Sequence, residues 1–291
     1  MSMKLADHTS FGNLERDIWE DTTMQTIREA TAGIATVRLL KDKDVFKGIV
    51  IIKGQVEAHE EGEHADDVWR RLHDRAARLN PSFFGFDGAR ARFLRFFPEG
   101  FQSSDYFKEE RGYKLTAKER LDKTVPIDKA LNGSGYGEAV LSIFRETNLL
   151  FPVEKTRLQD VLRGPTADQF IRAAAKFAMG EIKAGIAEME RVLKPHVIAK
   201  WTAVTYLPFL WRPDAHMFLK PTVTTEFASR VGHRFANEYS PMLDAAVYES
   251  LLDLASTTTE EIADLEPRDN IDVQSFIWTV GEYVESDKLP D

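Results

Sequence analysis

The sequence predicts an α+β protein, mainly α, in which a small β-hairpin or sheet near the N-terminus is followed by a multi-helix bundle. Three observations carry the expectation. The β-branched runs "GIATVRLL" and "FKGIVIIKGQVE" lie close together before residue 60, and such runs favour pleated, half-buried backbone. From about residue 64 onward apolar residues recur at helical intervals. Gly and Pro punctuate that second region at helix-length spacings.

In order along the chain, Ser10 or Asn13 can cap a first helix through about Ala30, with Leu14, Ile18, Met24 and Ile27 on one side. Two strands follow, joined by the charged turn "KDKD". "HADDVWRRLHDRAARLN" reads as an amphipathic helix ended by Asn80 and Pro81. Ser103 or Ser104 opens a helix through "YFKEERGYKLTAKERLDK", closed by Pro126, and "NGSGYGEAVLSIF" is a loop feeding another. Pro152, Thr166 and residue 181 begin three more, ended by Gly164, Gly180 and Pro195. Two further helices begin at Ser240-Pro241 and at Asp269. The switch to an all-helical pattern near Leu150 suggests a mixed region over 1–150 and a helical one over 151–291, or a single domain.

Composition narrows the function classes. The 291 residues contain no cysteine, which removes thiolate chemistry, disulfides and Cys-bound zinc, and suits a reducing, cytoplasmic setting. No stretch approaches the roughly 18 apolar residues of a membrane span. Net charge is −9, but its distribution is uneven. Residues 70–120 hold 12 Lys and Arg against 7 Asp and Glu, whereas residues 241–291 hold 2 against 13. Either a basic face awaits a partner or the two regions attract each other within one fold.

"FFGFDGARARFLRFFPEGF" sets seven phenylalanines among three arginines. A helix, a glycine-bearing turn and a second helix here resemble the helix-hairpin-helix module of DNA repair proteins, with Gly85, Phe86, Ala91 and Leu94 at the matching positions. The resemblance implies backbone N–H groups aimed at a phosphate. Asp87 stands where the module has its second glycine, and Gly88 comes one place late. The alternative is a core segment whose arginines reach solvent along their aliphatic stems. The site candidates on the nucleic-acid reading are Gly85, Gly88, Arg90, Arg92 and Arg95.

Three acid-rich or glycine-rich stretches carry weaker signals. His59, Glu60, Glu61, Glu63, His64, Asp66 and Asp67 crowd a presumed loop without the one-face spacing of a metal site, so no metal and no cofactor are called for. "GSGYGEA" lacks the lysine of a phosphate-binding loop. "EERGYK" places acid and lysine on a helix, where the metal-dependent nuclease pattern needs a strand.

The stretch "AKWTAVTYLPFLWRPDAHMFLKPTVT" reads as a proline-cut, aromatic-rich connection at Pro208, Pro213 and Pro221, either a pocket or a core filler. Asp214, His216 and Lys220 are its candidate catalytic groups, since histidine titrates near neutrality and Asp214 could orient it. Trp211 and Arg212 are pocket candidates, together with Arg268 and Gln274 of "PRDNIDVQSFIW", where Asp269 and Asp272 have the spacing of a reciprocal helix cap.

The blocks "FFGFDGARARFLRFFPEGF", "ERGYKLTAKERLD", "TNLLFPVEKTRLQDVLRG", "WTAVTYLPFLWRPDAHMFLKPTVT" and "PRDNIDVQSFIW" resemble, over most of the chain, an uncharacterised family of bacterial proteins to which no activity is attached. The resemblance implies no functional residue. The leading expectation is therefore a bacterial accessory protein without catalysis that engages nucleic acid or a nucleic-acid-handling partner through its basic, aromatic segment. One alternative is a hydrolase or nuclease built on Asp214, His216 and Lys220. The other is a protein-interaction module using the acidic C-terminal half, with Glu260, Glu261, Asp264 and Glu266 as its charge cluster.

Overall fold

A computed structural model describes residues 25–32, 34–79 and 82–284. It has the expected class, a four-stranded antiparallel sheet followed by helices. The chain divides into two compact units, Met1–Asn80 and Pro81–Asp291, so Leu150, where the sequence pattern suggested a boundary, lies inside the second.

The first unit is an up-and-down meander of β1 (Gln25–Ala32), β2 (Ala35–Asp42), β3 (Val45–Ile52) and β4 (Gln55–Gly62), in that spatial order, with α1 (Ala65–Arg78) packed on it. The described part of the expected first helix, residues 25–30, is strand instead, and the rest of that helix lies outside the described residues. β1 is an edge strand with mostly exposed side chains, so its backbone ladder to β2 decides its conformation and no side-chain periodicity announces it. "FKGIVIIKGQVE", expected as one strand, is two. Lys53 and Gly54 both have positive φ (52° and 82°) and form a two-residue turn between Ile52 and Gln55, the backbone a tight hairpin requires. His59, Glu60 and Glu61 consequently sit on β4, not in a loop. Val68, Leu72 and Ala76 of α1 close over Val37, Leu39 and Val50. The approach is close: a Cβ at Gly48 would stand 2.1 Å from Leu72 Cδ1.

The second unit begins with α2 (Gly85–Phe96), α3 (Ser104–Tyr106), a π-helical turn Phe107–Arg111, α4 (Gly112–Thr124), α5 (Ile127–Ala130), α6 (Gly137–Glu146), α7 (Pro152–Arg163), α8 (Ala167–Ala178) and α9 (Ile182–Leu193). It continues with α10 (Trp201–Trp211), α11 (Pro221–Val231), α12 (Phe235–Glu238), α13 (Ala245–Glu261) and α14 (Asn270–Glu282). Several ends are as the residues dictate. Ser103 accepts hydrogen bonds from the Asp105 and Tyr106 N–H groups, and Asp269 accepts from Ile271 N. One start differs: the helix expected from Ser240-Pro241 begins only at Ala245, capped by Asp244.

The proline-cut connection is the main departure. Trp201–Trp211 is one helix with Pro208 inside it, and every one of its residues is buried. Burying eleven mostly apolar side chains outweighs the roughly 3 kcal/mol that an interior proline costs. The irregular stretch shrinks to residues 212–220, ended by Pro221 at the first turn of α11.

"GSGYGEA" also has a structural account. A Cβ at Gly137 would lie 2.1 Å from the Leu162 carbonyl oxygen, so the glycine lets α6 begin against the backbone of α7. No described helix is long and apolar enough to cross a membrane.

Candidate functional site: an acid-walled aromatic cleft

Part of the uneven charge resolves inside the second unit. Arg90 pairs with Asp264, and Arg111 pairs with Asp269 and Asp272, both at 2.8 Å. Arg92 donates to the Val280 and Tyr283 carbonyls at 2.8 and 2.6 Å, bonding backbone at the end of α14. Phe93, Phe96, Phe97 and Phe101 are buried. Gly85 takes the left-handed backbone, φ 67°, that a hairpin glycine supplies, and Gly88 lies against Phe84. Phe84 N, the amide next to that turn, is already committed, donating to Arg230 O at 3.0 Å. The two helices that the helix-hairpin-helix resemblance pairs, α1 and α2, fall in different units. Arg95 is exposed on α2.

Among the described residues Asp214, His216 and Lys220 share no hydrogen bond or ion pair. Asp214 is exposed and bonded to Arg212 Nε and Nη2. His216 is buried, with Nε2 3.0 Å from the Ala178 carbonyl and Nδ1 3.3 Å from Tyr248 Oη. Burial holds its pKa below the ordinary value, against the pull of that carbonyl. Trp211 belongs to the core, its Nε1 donating to Val125 O at 3.0 Å. Arg268 is spent on Asp272 and on the Phe101 carbonyl. Glu260, Glu261 and Glu266 are exposed. Among the described residues no three His, Asp or Glu side chains converge as a metal site.

Lys220 and Gln274 do meet, at a place whose other residues the sequence did not single out as a site. α14 and the π-helical turn build it. In an α-helix consecutive residues point about 100° apart, but the wider turn at Phe107–Arg111 lets neighbours Glu110 and Arg111 both face the interior. Glu110 accepts from Lys114 Nζ at 2.9 Å and from Tyr283 Oη at 2.8 Å. Lys114 is fully buried and also donates to Ser275 Oγ. Burial lowers its pKa while Glu110 pulls it back up. On the other side of the turn, Asp272 takes hydrogen bonds from Tyr106, Arg111 and Arg268. These pairs fix α14 against the turn.

Beside that joint opens a cleft of about 520 Å³, lined by Phe96, Phe97, Glu109, Glu110, Asn148, Trp278, Glu282 and Tyr283. Its size is that of a small-molecule site. Of the three carboxylates, Glu110 is committed to Lys114 and Tyr283. Glu109 pairs with the exposed Lys108, at 3.2 Å, and Glu282 is exposed at the end of α14. Trp278 is half-buried and presents an aromatic surface.

Asn148 and Trp278 also line a second, much smaller hole of about 10 Å³, completed by Tyr113, Leu149, Lys220 and Gln274. Lys220 Nζ donates to Leu149 O at 3.0 Å and lies 3.9 Å from the Phe151 ring centre and 5.4 Å from that of Trp278. Among the described residues it has no ion-paired carboxylate; burial lowers its pKa, and Glu154 and Glu282 oppose that from farther off. Gln274 is buried and, among the described residues, its Oε1 has no hydrogen-bond partner.

The sequence pointed to Gln274 and Lys220 for other reasons. It weighed Glu109, Glu110 and Lys114 only against a nuclease pattern and set them aside, although the buried Glu110–Lys114 pair has the i,i+4 spacing of a helical ion pair. No known protein-family model, curated protein or solved structure matches the chain.

Proposed function

We propose that the helical unit is a binding module for a small organic molecule that carries a positive charge. The observation that supports this most is the cleft of about 520 Å³, where Glu109 and Glu282 stand beside Trp278 and Tyr283. Carboxylates next to an aromatic face suit an ammonium group, which draws on both the ring quadrupole and the opposite charge. The chain's net charge of −9 favours the approach of cations in the same sense. The surrounding buried pairs hold the wall in place before a ligand arrives, which limits the ordering cost of binding.

The test is a thermal-shift and calorimetric titration of the full chain against choline, spermidine and hexylamine, with glucose, citrate, and short DNA and RNA as comparisons. The amines should raise the melting temperature, and Glu282→Gln and Glu109→Gln should each weaken them several-fold and make their binding less sensitive to salt than the parent's. Failure of every amine to bind at millimolar concentration refutes the proposal. Stabilisation by DNA or RNA, lost in an Arg90/Arg92/Arg95→Ala variant, would instead return the function to the basic segment.

A further inference from the structure

We infer that the small hole at the end of the cleft is a subsite for a hydroxyl group, so that the ligand is a hydroxylated amine held with its hydroxyl inward and its ammonium outward. This rests on the cationic-ligand reading above. Three observations lead to it. The first is size: about 10 Å³ is room for one water-sized group and no more. The second is an orphan acceptor. Gln274 is only 4% exposed, lines the hole, and its Oε1 has no partner among the described residues, a condition that buried polar atoms rarely keep unless something supplies a donor. The third is a donor with capacity to spare. An ammonium has three N–H bonds, and Lys220 Nζ uses one on Leu149 O with no carboxylate ion-paired to it among the described residues.

An acceptor and a donor lining one water-sized hole are the complement of a hydroxyl, whose oxygen accepts from Lys220 and whose hydrogen goes to Gln274 Oε1. Other groups fit less well. An ammonium would meet the like charge of Lys220. A carboxylate is too large and would turn an oxygen toward Oε1. A methyl would leave both protein groups unpaired, and sites built to bond a hydroxyl reject analogues lacking it far more strongly than apolar pockets sort by size. Asn148 and Trp278 line both the hole and the cleft, so a chain entering end-on would leave its charged end beside Glu109 and Glu282.

The experiment uses matched pairs of ω-amino alcohols and plain alkylamines, from ethanolamine and ethylamine to 6-amino-1-hexanol and hexylamine, titrated into the full chain by calorimetry. At the chain length that spans cleft and hole, the amino alcohol should bind about tenfold tighter or more than its partner. Gln274→Leu, close in size and losing no observed bond of Oε1, should erase that preference; its melting temperature checks the fold. Equal affinities at every length, or a preference that survives Gln274→Leu, overturn the inference alone and leave the hole as a site for a single water. Absence of binding by all amines overturns the cationic-ligand reading and this inference with it.

Discussion

Asp272 is fully buried and its carboxylate takes five hydrogen bonds: from Tyr106 Oη at 2.5 Å, Arg111 Nη1 at 2.8 Å, Arg268 N and Nε at 2.9 Å, and Arg268 Nη2 at 3.2 Å. Replacing it with asparagine keeps the shape and removes the charge. Arg111 would retain Asp269 through both Nη atoms, and the carboxamide keeps one oxygen that accepts, so most of the loss falls on Arg268, whose N and Nε would face a donating NH2 where they now meet Oδ2. A buried donor left unpaired costs about 1–3 kcal/mol, and removing one partner of a buried charge pair about 3–5 kcal/mol. The expected loss is therefore about 3–5 kcal/mol, a large part of an ordinary domain's stability of about 5–15 kcal/mol. Burial alone would raise the Asp272 pKa, but the Arg268 and Tyr106 hydrogen bonds and the Arg111 charge hold it below the ordinary 3.8. A carboxylate so depressed adds stability that is complete above about pH 5 and disappears as pH falls through its folded value. Urea unfolding followed by tryptophan fluorescence should show the full deficit of Asp272→Asn at pH 7 and a narrowing gap in acid. A loss under about 1 kcal/mol at pH 7, or a gap that widens on acidification, would refute the reasoning.

Trp211→Ala should cost about 3–5 kcal/mol, because the indole is 4% exposed and bonded to Val125 O; an unchanged thermal midpoint would remove it from the core. Gly137→Ala should lose at least about 1–3 kcal/mol, since its Cβ would collide with the Leu162 carbonyl oxygen and backbone must move; a melt within about 1 °C of the parent would contradict that. His216 and His233 are both held below the ordinary pKa of 6.5, chiefly by burial. The unfolded chain then takes up protons first, so stability intact above about pH 7 should fall as pH drops below about 6.5. Melts at pH 7.5 and 5.5 check this, and a midpoint that rises in acid in the parent while His216→Gln melts identically at both pH values would exclude it.

What could be read from the residues depended on how local the cause was. The Ser103 and Asp269 caps, the Gly164 and Gly180 stops and the Pro152 start act within one turn, and the elements they bound were legible. β1 was not, because a mostly exposed edge strand is decided by its partner strand and not by its own pattern. α10 was missed because prolines argue for interruption, and only the burial of its whole surface reverses that. The charge asymmetry was visible, and pairing within the fold was one of its two readings; which arginine finds which acid depends on residues 158 to 174 positions apart. The cleft was legible only in part. Gln274 and Lys220 stood out, but Glu109 and Glu110 matter through the π-helical turn, which has no sequence signature of its own.

That long-range pairing also sets an order of events during synthesis. Arg111 and Lys114 emerge from the ribosome about 160 residues ahead of Asp269, Asp272 and Ser275, the groups that satisfy them. Until α14 is made, a compact arrangement of the earlier helices would bury two cations of which Lys114 has only Glu110 and Arg111 neither of its acids. Desolvating them early is unfavourable. The helical unit should therefore stay open while it is translated and close in a late, concerted step that completes the core and the cleft wall together.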